Sequence, residues 1–343
     1  MNANARDGLN YFKTVNIQRL LNMIKVLGSY YLSRIVKKPI HCGMPISVSI
    51  EPTTSCNLRC PQCPSGLRSF SRETGMLEFD TFKKVIDELA PSLTYLTLYF
   101  QGEPYLNPHF LKFVNYASSQ NIYTATSTNC HHMTIDKAKE TVESGLNRLI
   151  ISIDGTTQEV YKQYRVGGTL TKVIEGTKML VDAKKSAQNT SLHIIWQFIV
   201  FKHNEHQIEE FKALAKAIGV DELGIKTAQI YDYENGSELI PENEEYSRYS
   251  KEEVIYTSGY SLKNKLLNHC WRMWQGCVFT WDGHVVPCCF DKDATHKIGN
   301  ISTHTFKSIW HGEAYKQFRK SMLVSRKEID ICTNCSEGTK VWN

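Results

Sequence analysis

The sequence predicts an α/β fold, six βα-like units long, followed by a small cysteine-rich C-terminal domain. Three observations carry that expectation. Short β-rich runs alternate with segments of helical spacing over residues 46–230. A polar Tyr- and Glu-rich stretch, 231–268, then breaks the alternation without a clear period. Beyond it, residues 269–343 hold a second group of cysteines around a hairpin signal.

The elements are taken in chain order. Residues 1–45 form an N-terminal basic segment. Within it, residues 10–38 mix Leu, Ile, Tyr and Phe with Lys13, Arg19, Lys25, Arg34, Lys37 and Lys38, and contain no acid. An amphipathic helix of this kind packs its apolar face on a neighbouring domain or lies on an anionic membrane surface. Ile46–Glu51 is a short β-rich run, and Phe79–Ala90 has helical spacing of Phe82, Val85, Ile86 and Leu89. Leu93–Phe100, Asn121–Ser127, Leu146–Ile153, Ser191–Phe201 and Asp221–Gln229 read as the next strands. Helices fall between them at His109–Ser119, Thr134–Ser144, the material through Lys184, and Gln207–Ile218. Thr134 with Asp136 suits a helix N-terminus. Such alternation implies a parallel sheet with helices outside, either open or curled as a partial (βα)6 TIM-like barrel. Residues 231–268 read as a linker with one helix.

In such sheets chemistry sits on the loops after the strands. Cys56–Cys63 follows the first strand, Gln101–Pro104 the second, Ser127–Asn129 the third and Ser152–Gly155 the fourth.

Composition narrows the class. With 343 residues, 41% hydrophobic and 22% charged, the chain is an ordinary globular one. A net charge of +5 is too mild to argue for nucleic acid, and none is expected as a partner. No apolar run approaches the roughly 20 residues of a membrane-spanning helix. Eleven cysteines, an odd number, without a secretory signal, read as metal ligands in a reducing cytosol rather than a disulfide scaffold. The basic N-terminal segment adds the expectation of a peripheral contact at the inner membrane face.

The segment Cys56-Asn-Leu-Arg-Cys60-Pro-Gln-Cys63 places three thiols within eight residues. Three ligands fill three corners of a cubane [4Fe–4S] cluster and leave one iron open to a cofactor, whereas a four-cysteine site is closed. A half-formed zinc site with a remote fourth ligand is the alternative. The spacing resembles the signature of the radical S-adenosylmethionine (SAM) superfamily, and the likeness extends over 46–230. It implies the curled form of the sheet. Gln101-Gly102-Glu103-Pro104 resembles the family's GGEP motif, with Gln101 in place of the first glycine. Thr128-Asn129 resembles its TN turn, and Ser152-Ile-Asp154-Gly155 and Tyr164-Arg165 its SxDG and YR elements. By that resemblance Gly102, Glu103, Asn129, Ser152 and Arg165 bind SAM: Glu103 its amino group, Asn129 near the ribose, Ser152 and Arg165 around the carboxylate. Read alone, Ser152 and Asp154 also suit a strand–helix turn, and Arg165 a surface charge.

In the C-terminal region, Asp282-Gly283 between Val278–Trp281 and His284–Val286 is a hairpin signal. The hairpin brings Cys270 and Cys288 toward one place, where the Cys332-x2-Cys335 pair completes a four-thiolate site. Spacing does not separate zinc from iron–sulfur there. The pattern from Cys270 through WDGHVVPCCFD to Cys335 resembles the SPASM/twitch extension of radical enzymes, in its shorter one-cluster form. Cys289 adjoins Cys288 and faces the other way, the motif position choosing Cys288. Cys277 is read as a buried thiol.

The resemblance implies a radical SAM enzyme. With an electron donor such as flavodoxin or ferredoxin, its cluster cleaves SAM reductively to a 5′-deoxyadenosyl radical, which takes hydrogen from an unidentified substrate. Net oxidation or modification of a small-molecule, sugar or lipid-linked envelope precursor is the first expectation. A peptide-modifying maturase is the alternative, and a non-catalytic zinc-stapled binding protein the alternative of another class. Candidate bases are His131, His132, Tyr99 and Lys226.

Overall fold

The computed structural model describes residues 2–254 and 257–341. Two helices open the chain, α1 (Ala3–Lys13) and α2 (Ile17–Val36). Six strands alternate with helices thereafter: β1 (Ser47–Ile50), α3 (Phe79–Leu89), β2 (Tyr95–Thr97), α4 (Phe110–Ser119), β3 (Tyr123–Thr128), α5 (Ile135–Glu143) and β4 (Arg148–Ser152). Then follow α6 (Gln158–Tyr164), α7 (Leu170–Ser186), β5 (His193–Val200), α8 (Ile208–Ile218) and β6 (Glu222–Thr227). β1 to β6 lie side by side in chain order and pair in parallel, with Leu96 opposite Thr124 and Ile151 opposite Trp196. This is a partial (βα)6 barrel, left open between its edges.

The helices cover the sheet as their spacing dictates. Phe82, Val85, Ile86 and Leu89 of α3 recur every three to four residues, and all four are buried. α5 starts where Thr134 accepts a hydrogen bond from the Lys137 amide at 3.2 Å.

Two stretches are more finely divided than, or differ from, expectation. The helical material expected through Lys184 is divided into two helices, because Gly167 takes a left-handed turn (φ +82°) after Arg165. The stretch 231–268 carries no helix among its described residues. It folds as an antiparallel hairpin, β7 (Tyr249–Val254) and β8 (Thr257–Leu262), whose alternating polar residues gave no apolar period to read.

The C-terminal region extends the same sheet. β9 (Gly276–Phe279) pairs in parallel with β1, and β10 (His284–Val286) and β11 (Gly299–Asn300) add antiparallel strands. Gly276 permits this join, since a Cβ there would stand 1.8 Å from the Ser47 carbonyl oxygen. The Asp282-Gly283 turn closes the hairpin, with Gly283 at φ +82°. Helices α9 (Phe306–Trp310) and α10 (Glu313–Val324) pack behind it.

α1 and α2 close the end of the sheet where the strands begin. Arg19 is buried and donates to the carbonyls of Thr14 (2.6 Å), Ala90 (2.8 Å) and Gln120 (2.9 Å). Asp7 is held by Arg148 at the start of β4 and by the Tyr123 hydroxyl. Among the described residues no helix is long and apolar enough to cross a membrane.

Candidate active site

The C-terminal ends of β1 to β4 converge on one place. The loop after β1 carries Cys56, Cys60 and Cys63, and each thiol lies within electrostatic reach of the others. Burial pushes the Cys56 thiol up to about 11, and burial raises Cys60 while Arg165 opposes it. Thiols grouped this closely, Cys60 buried and Cys56 and Cys63 half-buried, none in a disulfide, suit a cationic centre that replaces their protons. Among the described residues no three Cys, His, Asp or Glu side chains converge on a point that holds a single ion. The Leu58 amide donates to the Cys56 sulfur at 3.4 Å.

The loop is braced from beneath. Arg72 donates two hydrogen bonds to the fully buried Glu51, at 2.8 and 2.6 Å, in the forked geometry of a guanidinium on a carboxylate.

Gly102 lies against the same loop. At φ +75° it is left-handed, and a Cβ would stand 2.2 Å from the Thr53 carbonyl oxygen and 2.8 Å from that of Ser55. Its amide donates to Ser65 Oγ (2.8 Å), and the Glu103 amide donates to the Ser55 carbonyl (2.8 Å). The glycine therefore joins the β2 loop to the cysteine loop.

Glu103 is buried (2% exposed) and accepts from Thr128 Oγ1 at 2.7 Å and from the Asn129 amide at 2.7 Å. Burial lifts its carboxyl to about 7, and those hydrogen bonds offset only part of the rise. Asn129 turns its amide nitrogen to Asn57 (2.8 Å) and lies 3.9 Å from the Cys56 sulfur. Ser152 ends β4, buried, opposite Gln197 in register.

Arg165 is not a surface charge. Its Nε donates to Asp154 at 2.5 Å, and its NH1 lies 3.9 Å from the Cys60 sulfur. Burial opposes its charge, but Asp154 and Cys60 outweigh that and keep it protonated. Asp154, fully buried, also accepts from the Ile199 amide at 2.7 Å, tying the ends of β4 and β5.

His131 spends both ring nitrogens on structure. Nδ1 lies 2.9 Å from the Asn129 carbonyl oxygen and Nε2 accepts from the Thr169 amide at 2.8 Å, which pins the turn after β3. Cys130 packs under α7, where a Cβ on Gly176 would meet its sulfur at 2.8 Å.

The second cysteine group is assembled around the short helical turn Arg272–Gln275. Cys270, Cys288 and Cys332 share one apolar cluster, and Cys335 is within electrostatic reach of Cys270. Burial pushes Cys332 up to about 12 and Cys335 up to about 11. Arg326, itself buried, donates to the Cys335 sulfur at 3.1 Å, and the Glu337 amide donates at 3.4 Å. Gly338 lets the chain pass this point, since a Cβ would stand 2.3 Å from the Cys270 sulfur. Cys289 packs with Phe100, Val278 and Val286, but its thiol also hydrogen-bonds that of Cys288 and accepts from Arg272 at 3.6 Å. β10 ends at Val286, so the pair lies beyond the strand and the expected opposite facing does not hold. Cys277 faces the main core beside Phe279 and Val285.

An open cavity of about 590 Å³ lies between the helical turn that follows Cys63, the segment after β6 and the C-terminal region; Pro64, Tyr231, Lys292 and Asn334 line it. Lys292 Nζ stands 4.8 Å over the Tyr231 ring, and both residues sense the charge of Cys63. Sequence reasoning missed Lys292, Asn57, Ser65 and Arg326. Only Asn57, inside the cysteine loop, carried a local signal.

A sequence profile of the radical SAM superfamily matches residues 50–215, and one of the SPASM iron–sulfur cluster-binding domain matches 270–336. The chain belongs to the radical SAM superfamily. As a member it binds a [4Fe–4S] cluster and SAM, and its SPASM region binds auxiliary iron–sulfur. The zinc-stapled reading is thereby replaced. Among curated relatives, the tungsten-containing aldehyde ferredoxin oxidoreductase cofactor-modifying protein of Pyrococcus furiosus is 26% identical over 313 residues, covering 84% of this chain and 86% of the relative. The PqqA peptide cyclase of Bradyrhizobium diazoefficiens is 24% identical over 303 residues, covering 81% and 76%. The crystal structure of Streptococcus suis SuiB bound to S-adenosylmethionine shares the radical SAM enzyme's fold, with a TM-score of 0.62 at 12% identity over 85% of this chain and 72% of that one.

Proposed function

We propose that this radical SAM enzyme abstracts hydrogen from a peptide, with the open cavity beside Cys63 as the place where the peptide lies. The observation that carries this reading is the extent of the match to a PqqA peptide cyclase, over 81% of this chain and 76% of the relative. It displaces the first expectation of a small-molecule, sugar or lipid-linked substrate. When bound, the reduced cluster and SAM supply a carbon-centred radical that takes hydrogen from an unactivated C–H bond.

The chain's own residues do the positioning. Cys56, Cys60 and Cys63 are the proposed ligands of the SAM-binding cluster, and Cys270, Cys288, Cys332 and Cys335 those of a single auxiliary cluster. Gly102 and Glu103 receive the SAM amino group, Asn129 the ribose side, and Ser152 and Arg165 the carboxylate. The hydrogen bonds that fix Glu103 and the ion pair that holds Arg165 on Asp154 support these roles, since polar groups aligned before the ligand arrives need no reorganisation on binding. Residues 46–230 then form the catalytic core and 269–343 the auxiliary region, reduced by a donor such as flavodoxin or ferredoxin. Arg326, beside two of the auxiliary thiols, balances negative charge there.

The test is anaerobic incubation with dithionite, SAM and candidate peptides deuterated at single positions. Deuterium appearing in 5′-deoxyadenosine supports the peptide reading. Transfer from a labelled small molecule and from none of the peptides refutes it.

A further inference from the structure

Helix α2 is apolar on two opposite faces. Val26, Tyr30 and Ser33 are buried on one side, where Tyr30 stacks edge-on against Trp271 (5.2 Å) and Trp274 (5.5 Å). On the other side Ile17, Leu21, Ile24, Tyr31 and Ile35 recur at alternating spacings of four, three and seven residues, which keeps them in one stripe along the helix. They point to solvent: Ile17 is 72% exposed, Ile24 57% and Ile35 78%. Phe12 at the end of α1 is 70% exposed as well. Twenty residues of helix give this stripe a length of about 30 Å. Packing on the barrel explains the inner face of α2 and leaves the outer one unaccounted for.

Charge selects the occupant. Lys13, Lys25, Lys37 and Lys38 are exposed along or beside the stripe, and no acidic residue occurs between Asp7 and Glu51. A second copy seated on this face would bring lysines against lysines with no carboxylate of the segment to pair them. An anionic lipid surface offers both an apolar layer for the isoleucines and negative headgroups for the lysines. We propose that α2, with the Phe12 end of α1, lies in the plane of an anionic membrane surface and anchors the enzyme there peripherally. Arg19 and Asp7 lock both helices to the sheet, so the docked surface is rigidly placed at the end of the barrel opposite the active site.

The experiment is co-sedimentation of the full chain with vesicles of phosphatidylglycerol and phosphatidylcholine, against phosphatidylcholine alone, at low and high salt. The expected result is binding to the anionic vesicles that falls at least tenfold in high salt. It falls similarly in Lys37→Glu/Lys38→Glu and is lost in Ile24→Glu/Ile35→Glu. All four positions are exposed, so the variants should unfold at the wild-type temperature, which a melting curve checks. No sedimentation with anionic vesicles overturns the proposal, as does binding that ignores both salt and the lysines. A vesicle-free dimer in analytical ultracentrifugation that Ile24→Glu/Ile35→Glu dissolves also overturns it, and assigns the face to a second copy.

Discussion

Glu103 should give the cluster-free protein a pH-dependent stability that its glutamine variant lacks. Burial moves this carboxyl from 4.5 to about 7 in the folded chain. A raised carboxyl pKa means that the folded state holds its proton more tightly than the unfolded state. The resulting stability is complete below about pH 4.5 and is lost as pH rises through about 7. At about 1.4 kcal/mol per pH unit the whole loss is about 3 kcal/mol, of which about 2 kcal/mol falls between about pH 5.5 and about pH 8. Glu103→Gln cannot ionise, but its single amide oxygen serves either Thr128 or the Asn129 amide and leaves the other donor unpaired, costing about 1–3 kcal/mol. The variant should therefore be less stable than wild type near pH 5.5, and the gap should shrink by about 2 kcal/mol near pH 8. Urea unfolding of both proteins at the two pH values measures it. Other titrating groups, the buried thiols included, cancel in the difference. A gap that stays constant, or widens with pH, refutes the ionisation argument.

Three further outcomes are expected. Arg72→Met leaves Glu51 buried without its forked partner and should cost about 3–5 kcal/mol in denaturant unfolding. Gly102→Ala faces both a left-handed backbone and the Thr53 carbonyl; the backbone conformation alone costs about 1–2 kcal/mol. The displaced Glu103 should then cut 5′-deoxyadenosine yield at least tenfold at saturating reductant. Cys270→Ala should lower iron content after anaerobic reconstitution by one cluster's share, whereas Cys277→Ala, inside the main core, should leave iron unchanged and lower thermal stability.

The P. furiosus relative aligns over 84% of this chain and the B. diazoefficiens relative over 81%, so the likeness is not confined to one of the two matched regions. The sheet joins the two cysteine-bearing regions directly. β9 pairs directly with β1, whose following loop carries Cys56, Cys60 and Cys63. A disturbance of the C-terminal hairpin therefore reaches the cysteine loop after β1 through backbone hydrogen bonds. The Trp281 amide makes a second connection, donating to Glu51 at 3.2 Å.

What the sequence determined by itself was local. The spacing of Cys56, Cys60 and Cys63, the helical period of Phe82, Val85, Ile86 and Leu89, and the Asp282-Gly283 turn are all set within a dozen residues. Covalent reach and backbone preference suffice at that range. The alternation of such segments named the parallel fold, because few topologies bury six such units. Only the tertiary structure decided the rest. It turned Arg165 from a surface charge into the partner of Asp154 and neighbour of Cys60, and brought Lys292 beside Cys63. It set Arg326 on Cys335 and exposed a second apolar face on α2. Such pairings depend on which residues the folded chain carries close together, and a charged or apolar side chain gives no sign in sequence of what it will meet across the fold.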